Sequence, residues 1–209
     1  MSSGNRRKNN RKEADRSGLT LGEVTPLTDT QDLVFDAYNE GKHLCLHGYA
    51  GTGKTFLALY LALKDYHEGK VKRIVIYRSP LATRNIGFLP GTEDEKMAVF
   101  EDPYRAIVPD LYKRGDAYDI LKKAGAIVFR TTSFARGTTQ DDAVIILDEM
   151  QNGNLHEISS IITRVGVDTR LILAGDFRQS DLRFDDDKEG VHKVLNRLKK
   201  MEEVALLEF

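Results

Sequence analysis

A chain of 209 residues, 41% hydrophobic and with a formal charge of −1, can bury one substantial core, and one domain is the default at that length. Its charge predicts neither nucleic acid nor membrane binding in bulk, and no apolar run approaches the roughly 18 residues of a membrane span or forms a signal-peptide core. The single cysteine, Cys45, excludes an internal disulfide and fits a reducing cytoplasm; its apolar neighbours make it a buried strand residue rather than a reactive thiol.

The charge is unevenly placed. Residues 1–18 hold Arg6, Arg7, Lys8, Arg11, Lys12 and Arg16 against Glu13 and Asp15, a net of +4 that leaves −5 for the remainder. Residues 1–24 read as a disordered basic arm, able to attract polyanions or simply to solubilise. From residue 25 to 209 the pattern is that of one folded domain. Thr28-Asp-Thr-Gln31 is a helix start with a stop near Gly41. Strands are expected at 43–47, 72–77, 126–130, 143–147, 170–174 and 203–208. Helices are expected at 54–67, roughly 94–112, 116–123, 155–165 and 189–201. Near-continuous β-branched runs alternating with amphipathic helices predict an α/β fold, a doubly wound parallel sheet covered on both faces. Arg84-Asn-Ile-Gly-Phe-Leu-Pro-Gly91 reads as a long loop and a candidate functional insertion.

Between the first strand and its helix lies Gly48-Tyr-Ala-Gly-Thr-Gly-Lys54-Thr55, the phosphate-binding pattern G-x-x-x-x-G-K-[ST]. Gly48, Ala50, Gly51, Thr52 and Gly53 would turn backbone N–H groups around a polyphosphate, at the positive end of the following helix. Lys54 would reach the β- and γ-phosphates, and Thr55 would place a hydroxyl on Mg²⁺. ATP with Mg²⁺ is the expected ligand pair.

Ligands in such sheets bind at the carboxyl ends of the strands. Ala143-Val-Ile-Ile-Leu147 delivers Asp148 and Glu149 to its tip, either as a helix cap or as a Walker B pair. In the second reading Asp148 holds Mg²⁺ indirectly beside Thr55, and Glu149 deprotonates the attacking water. Gly175-Asp-Phe-Arg-Gln179 follows the next strand, as an ordinary turn or as a loop whose Gln179 senses the γ-phosphate. Gln31 carries an amide able to read an adenine edge.

Together with Arg78-Ser79, Gly87-Phe-Leu-Pro-Gly91, Thr132-Ser-Phe-Ala-Arg136-Gly137 and Asp148-Glu-Met-Gln-Asn152, these motifs resemble the PhoH family of P-loop ATPases, in its compact bacteriophage form. The resemblance runs from about residue 25 to 209. It implies a RecA-like core similar to the superfamily 1 helicase motor, with Gln31 as the adenine-reading and Gln179 as the γ-phosphate-sensing glutamine. It also implies ATPase activity linked to phosphate starvation, in the cytoplasm of a bacterium or of a phage-infected host. Relatives fused to a nuclease domain act on RNA. Members usually continue past the last strand into a helix carrying an arginine, whereas these residues stop at Leu206-Leu-Glu-Phe209.

A helicase motor closes ATP between two such domains, the second supplying an arginine finger. One domain leads to the expectation of a homo-oligomer, ring or helical, in which each subunit completes its neighbour's site. Arg136, Arg164, Arg178 and Arg183 are the finger candidates; for Arg178 and Arg183 a solvated or salt-bridging loop role competes. Arg78 at a strand end and Arg84 are candidates for contact with single-stranded RNA or DNA, extended by Lys113 and Arg114. Phe88 would stack on a base or anchor its loop. No membrane partner is expected. A nucleotide-dependent switch and a small-molecule phosphotransferase are the competing functions.

Overall fold

Six strands, β1 (His43–His47), β2 (Arg73–Arg78), β3 (Ile127–Thr131), β4 (Ala143–Asp148), β5 (Arg170–Gly175) and β6 (Val204–Glu208), form one sheet in the order β3-β2-β4-β5-β1-β6. Every paired strand runs parallel. The computed structural model describes residues 18–79, 93–132, 139–176 and 185–209. The helices are α1 (Asp29–Asn39), α2 (Lys54–His67), α3 (Glu93–Tyr112), α4 (Ala117–Lys123), α5 (Leu155–Ile162) and α6 (Asp185–Leu198), with a 3₁₀ turn at Met150–Asn152.

Strand periodicity sorts the core into two layers. Leu44, Leu46, Ile74, Ile76, Val144, Ile146 and Ile172 face one side, under α1 to α4. Cys45, Val75, Tyr77, Ile145, Leu147, Leu171 and Leu173 face the other, with Ile158 and Ile161 of α5 and Val191, Val194 and Leu195 of α6. A strand buried on both faces has no polar face to show, which is why these runs read as continuous apolar segments. Strand β5 lies between the phosphate-loop strand β1 and the acid-bearing strand β4. This is an α/β RecA-like P-loop fold.

Three expectations need adjustment. Helix α6 begins at Asp185 rather than 189. Helix α5 stops at Ile162, and Val165 instead forms a bridge to Gln140. The domain boundary at 25 is late: Leu19 is buried, Leu21 and Val24 pack on the core, and the Gly22 N–H donates to the Leu111 carbonyl at 2.8 Å. The polar residues ahead of them mask these three apolar anchors.

Candidate nucleotide-binding site

The loop after β1 is shaped by glycine. Gly51 and Gly53 take left-handed φ values of 79° and 91°, a conformation that costs an L side chain energy and turns the intervening N–H groups inward. Gly48 is excluded from change for a second reason, since a Cβ there would lie 2.3 Å from the carbonyl oxygen of Phe209. That contact arises because the Phe209 N–H donates to the His47 carbonyl at 2.8 Å, extending β6 alongside the loop. The Lys54 ammonium donates to the carbonyls of Gly48 (2.9 Å) and Tyr49 (2.5 Å) and to Thr52 Oγ1 (3.1 Å). Burial pulls its pKa down, against the opposing pull of Asp176, Glu149 and Asp148. These three bonds tie the lysine to its own loop.

The acid at the tip of β4 meets this loop directly. Thr55 Oγ1 donates to Asp148 Oδ1 at 2.9 Å, and Tyr104 of α3 donates to Asp148 Oδ2 at 2.8 Å. Asp148 is 3% exposed, and among the described residues its two oxygens are met by hydroxyls, not by an ion-paired cation. A buried carboxylate satisfied only by neutral donors is poised for a cation.

Glu149 follows in the left-handed region at φ 54°, ψ 41°. That conformation costs a glutamate about 1–2 kcal/mol and turns the chain sharply after the strand. Gln151 Nε2 donates to Glu149 Oε2 at 2.5 Å, while Gln151 Oε1 accepts the Asp176 N–H at 3.0 Å. Arg78 Nη2 lies 3.9 Å from Glu149 Oε1, with its guanidinium 5.9 Å from the centre of the Tyr104 ring. Burial pulls the Arg78 pKa down, but Tyr104 and the Asp148 and Glu149 carboxylates together outweigh it and raise it. Ser79 Oγ donates to the Asn152 carbonyl at 2.9 Å and ties the β2 tip to the 3₁₀ turn.

The PhoH-like protein family matches residues 23–209 of this chain. The chain belongs to the PhoH family. A PhoH-like protein of Mycobacterium leprae is 33% identical over 189 residues, 88% of this chain and 53% of that protein. Protein PhoH2 of Bacillus subtilis is 35% identical over 160 residues, 74% of this chain and 36% of that protein. The chain therefore spans about half or less of the length of these PhoH relatives. The Pif1 helicase of Candida albicans superposes loosely, at a TM-score of 0.42 with 18% identity over 89% of this chain and 40% of that one.

Within this PhoH-family site, the fold gathers Lys54, Thr55, Asp148, Glu149 and Arg78 at one end of the sheet. Gln31 lies beside them. Its Oε1 accepts the Leu27 N–H at 2.8 Å, and a Cβ on Gly53 would come 3.7 Å from its Nε2. Arg164 is elsewhere: it donates to the Ser160 carbonyl, and its own carbonyl accepts from Gln140, just ahead of β4. It therefore sits toward the end of the strands opposite the phosphate loop. Lys113 and Arg114 do not extend a track from Arg78. They follow Tyr112, whose hydroxyl meets His67 at the far end of α2, and Arg114 is paired with Asp116 at 2.6 Å. Arg84, Phe88, Arg136, Arg178, Gln179 and Arg183 lie outside the described residues. Sequence alone does not single out Tyr104 or Gln151: a tyrosine inside an amphipathic helix reads as core, and Gln151 carries no signal beyond its place in the Asp148–Asn152 motif.

Among the described residues, no helix is long and apolar enough to cross a membrane.

Proposed function

We propose that this domain hydrolyses ATP with Mg²⁺. The observation that carries the reading is the 2.9 Å bond between Thr55 and Asp148, which joins the phosphate loop to the β4 acid one residue before Glu149. Thr55, and Asp148 through water, would hold a Mg²⁺ ion that neutralises phosphate charge. The attacking water gives its proton to the Glu149 carboxylate as its oxygen bonds to the γ-phosphorus. The bond from that phosphorus to the β–γ bridging oxygen breaks, and ADP leaves with the electron pair. Lys54 releases the Gly48 and Tyr49 carbonyls and turns to the phosphates, while loop N–H groups stabilise the developing charge. Gln31 reads the adenine and Gln179 reports the γ-phosphate.

Hydrolysis serves binding or remodelling of single-stranded nucleic acid, RNA in preference to DNA, by a cytoplasmic homo-oligomer with shared sites. Arg164, remote from its own phosphate loop, suits a role across a subunit boundary better than one within its own site. A second reading, a nucleotide-dependent switch with slow turnover, draws support from the half-buried Arg78, whose guanidinium lies 3.9 Å from the Glu149 carboxylate.

Phosphate release from ATP, measured across protein concentrations with and without single-stranded RNA, is the test. Lys54→Ala and Glu149→Gln should each abolish release, the latter while ATP stays bound. Wild-type rates in either variant would overturn hydrolysis at this site. Stimulation by RNA that rises faster than protein concentration supports the oligomeric motor; slow turnover indifferent to both supports the switch.

A further inference from the structure

The Tyr104 hydroxyl is the only donor from outside the phosphate-loop helix that reaches Asp148 among the described residues. Its ring is 0% exposed and packs 5.7 Å from the Phe129 ring, tilted by 44°, with the Arg78 guanidinium on its face. We infer that Tyr104 is a positioning residue of the metal half of the site: it anchors Asp148 Oδ2, so that Oδ1 stays turned toward Thr55 for a divalent cation arriving with the nucleotide.

Two observations carry this. A carboxylate can rotate about its terminal bond, and one oxygen bonded to Thr55 does not by itself stop that rotation. A second bond of 2.8 Å from a ring locked on a different element does. Finally, the tyrosine reaches from α3 to the tips of β2 and β4, where Arg78 and Asp148 are paired in register. Partners that orient a metal-binding carboxylate in this way typically contribute 10- to 100-fold to metal affinity or activity.

The inference rests on the metal reading proposed above, and its test separates the two. The probe is the ATP analogue with a β,γ-imido bridge, its binding followed by calorimetry with and without Mg²⁺. In the wild-type protein Mg²⁺ should tighten binding. In Tyr104→Phe the gain from Mg²⁺ should shrink on the order of tenfold, while affinity for the metal-free analogue stays at the wild-type value. A wild-type Mg²⁺ gain in Tyr104→Phe overturns the inference. So does an equal loss with and without Mg²⁺, which marks a purely structural tyrosine. If Mg²⁺ fails to tighten binding to the wild-type protein, the metal reading itself falls and takes this inference with it. A second measurement needs no variant. The proton resonance of the buried Tyr104 hydroxyl in the wild-type protein should shift when Mg²⁺ is added with the analogue and hold still with the analogue alone. A resonance indifferent to Mg²⁺ overturns the inference independently.

Discussion

Gln151 holds Glu149 by a hydrogen bond of 2.5 Å, and its other end takes the backbone N–H of Asp176 at 3.0 Å. The glutamine thus links the tip of β5 to the proposed base at the tip of β4. General-base catalysis is worth about 10²- to 10⁴-fold and depends on the base being held in reach of its proton. Gln151→Leu should therefore lower ATP turnover by roughly 10-fold and leave KM for ATP near the wild-type value. Added to Glu149→Gln, it should lower the residual turnover no further, because Gln151 acts through the Glu149 carboxylate. Multiplying losses in the double variant would show that Gln151 acts elsewhere.

The close approach of Gly48 to the last residue makes the phosphate loop sensitive to a single methyl group. Gly48 has φ 140°, and an added Cβ would meet the Phe209 carbonyl oxygen at 2.3 Å. Gly48→Ala should cost more than about 1 kcal/mol in urea unfolding and weaken ATP binding as the loop shifts. Wild-type stability and affinity together would show that β6 and the loop move apart freely.

Cys45 is fully buried in the layer under α5 and α6, and burial pushes its thiol up to about 12 from an ordinary 9.0. A folded pKa above the unfolded one contributes stability below pH 9 that is lost as pH rises, because only the unfolded chain ionises in that interval. Between pH 9 and about 12 this group should remove about 1.4 kcal/mol per pH unit. Unfolding curves of Cys45→Ala should show a shallower alkaline decline than the wild-type protein, whatever their offset at neutral pH. Parallel declines would place the sensitivity on other groups. A neutral thiol reagent should label Cys45 only on unfolding.

Arg170 at the start of β5 latches α1 to the sheet. Its Nη1 donates to the carbonyls of Tyr38 (2.9 Å) and Lys42 (3.2 Å), and its guanidinium lies 4.8 Å from the centre of the Tyr38 ring. Arg170→Ala should lose about 2 kcal/mol, lowering Tm by about 4–8 °C. Arg170→Lys should recover less than half of this, since an ammonium lacks both the fork and the planar face. An unchanged Tm in Arg170→Ala would mean that α1 is held by its apolar face alone. Because α1 carries Gln31, loss of the latch should also weaken ATP binding more than binding of a triphosphate without a base.

Much of the site was legible in the chain order of its parts. Lys54, Thr55, Asp148 and Glu149 are recognisable because a phosphate loop must follow a strand and open a helix, and a buried strand can end in two acids only where solvent or a ligand receives them. The continuous apolar runs of β1, β4 and β5 mark strands buried on both faces, and only the packed structure shows which residues enter which layer. Helix α1 was visible in Thr28, whose hydroxyl accepts the Gln31 N–H at 3.3 Å.

What the residues alone could not carry was adjacency between elements distant in sequence. Arg78 reads as a free cation at a strand end; only the β2–β4 register sets it beside Asp148 and turns its charge on Glu149. Lys113 and Arg114 look like neighbours of such a track until α3 carries them to the opposite end of the sheet. Tyr104 reads as one more core aromatic, because periodicity reports which face of a helix is buried and says nothing of which polar atom waits beneath it. Local sequence determined the elements and the phosphate loop, since propensity, capping and glycine geometry act over a few residues. Tertiary packing alone decided who orients the two acids, because a hydrogen bond across 44 residues exists only once the sheet has chosen its strand order.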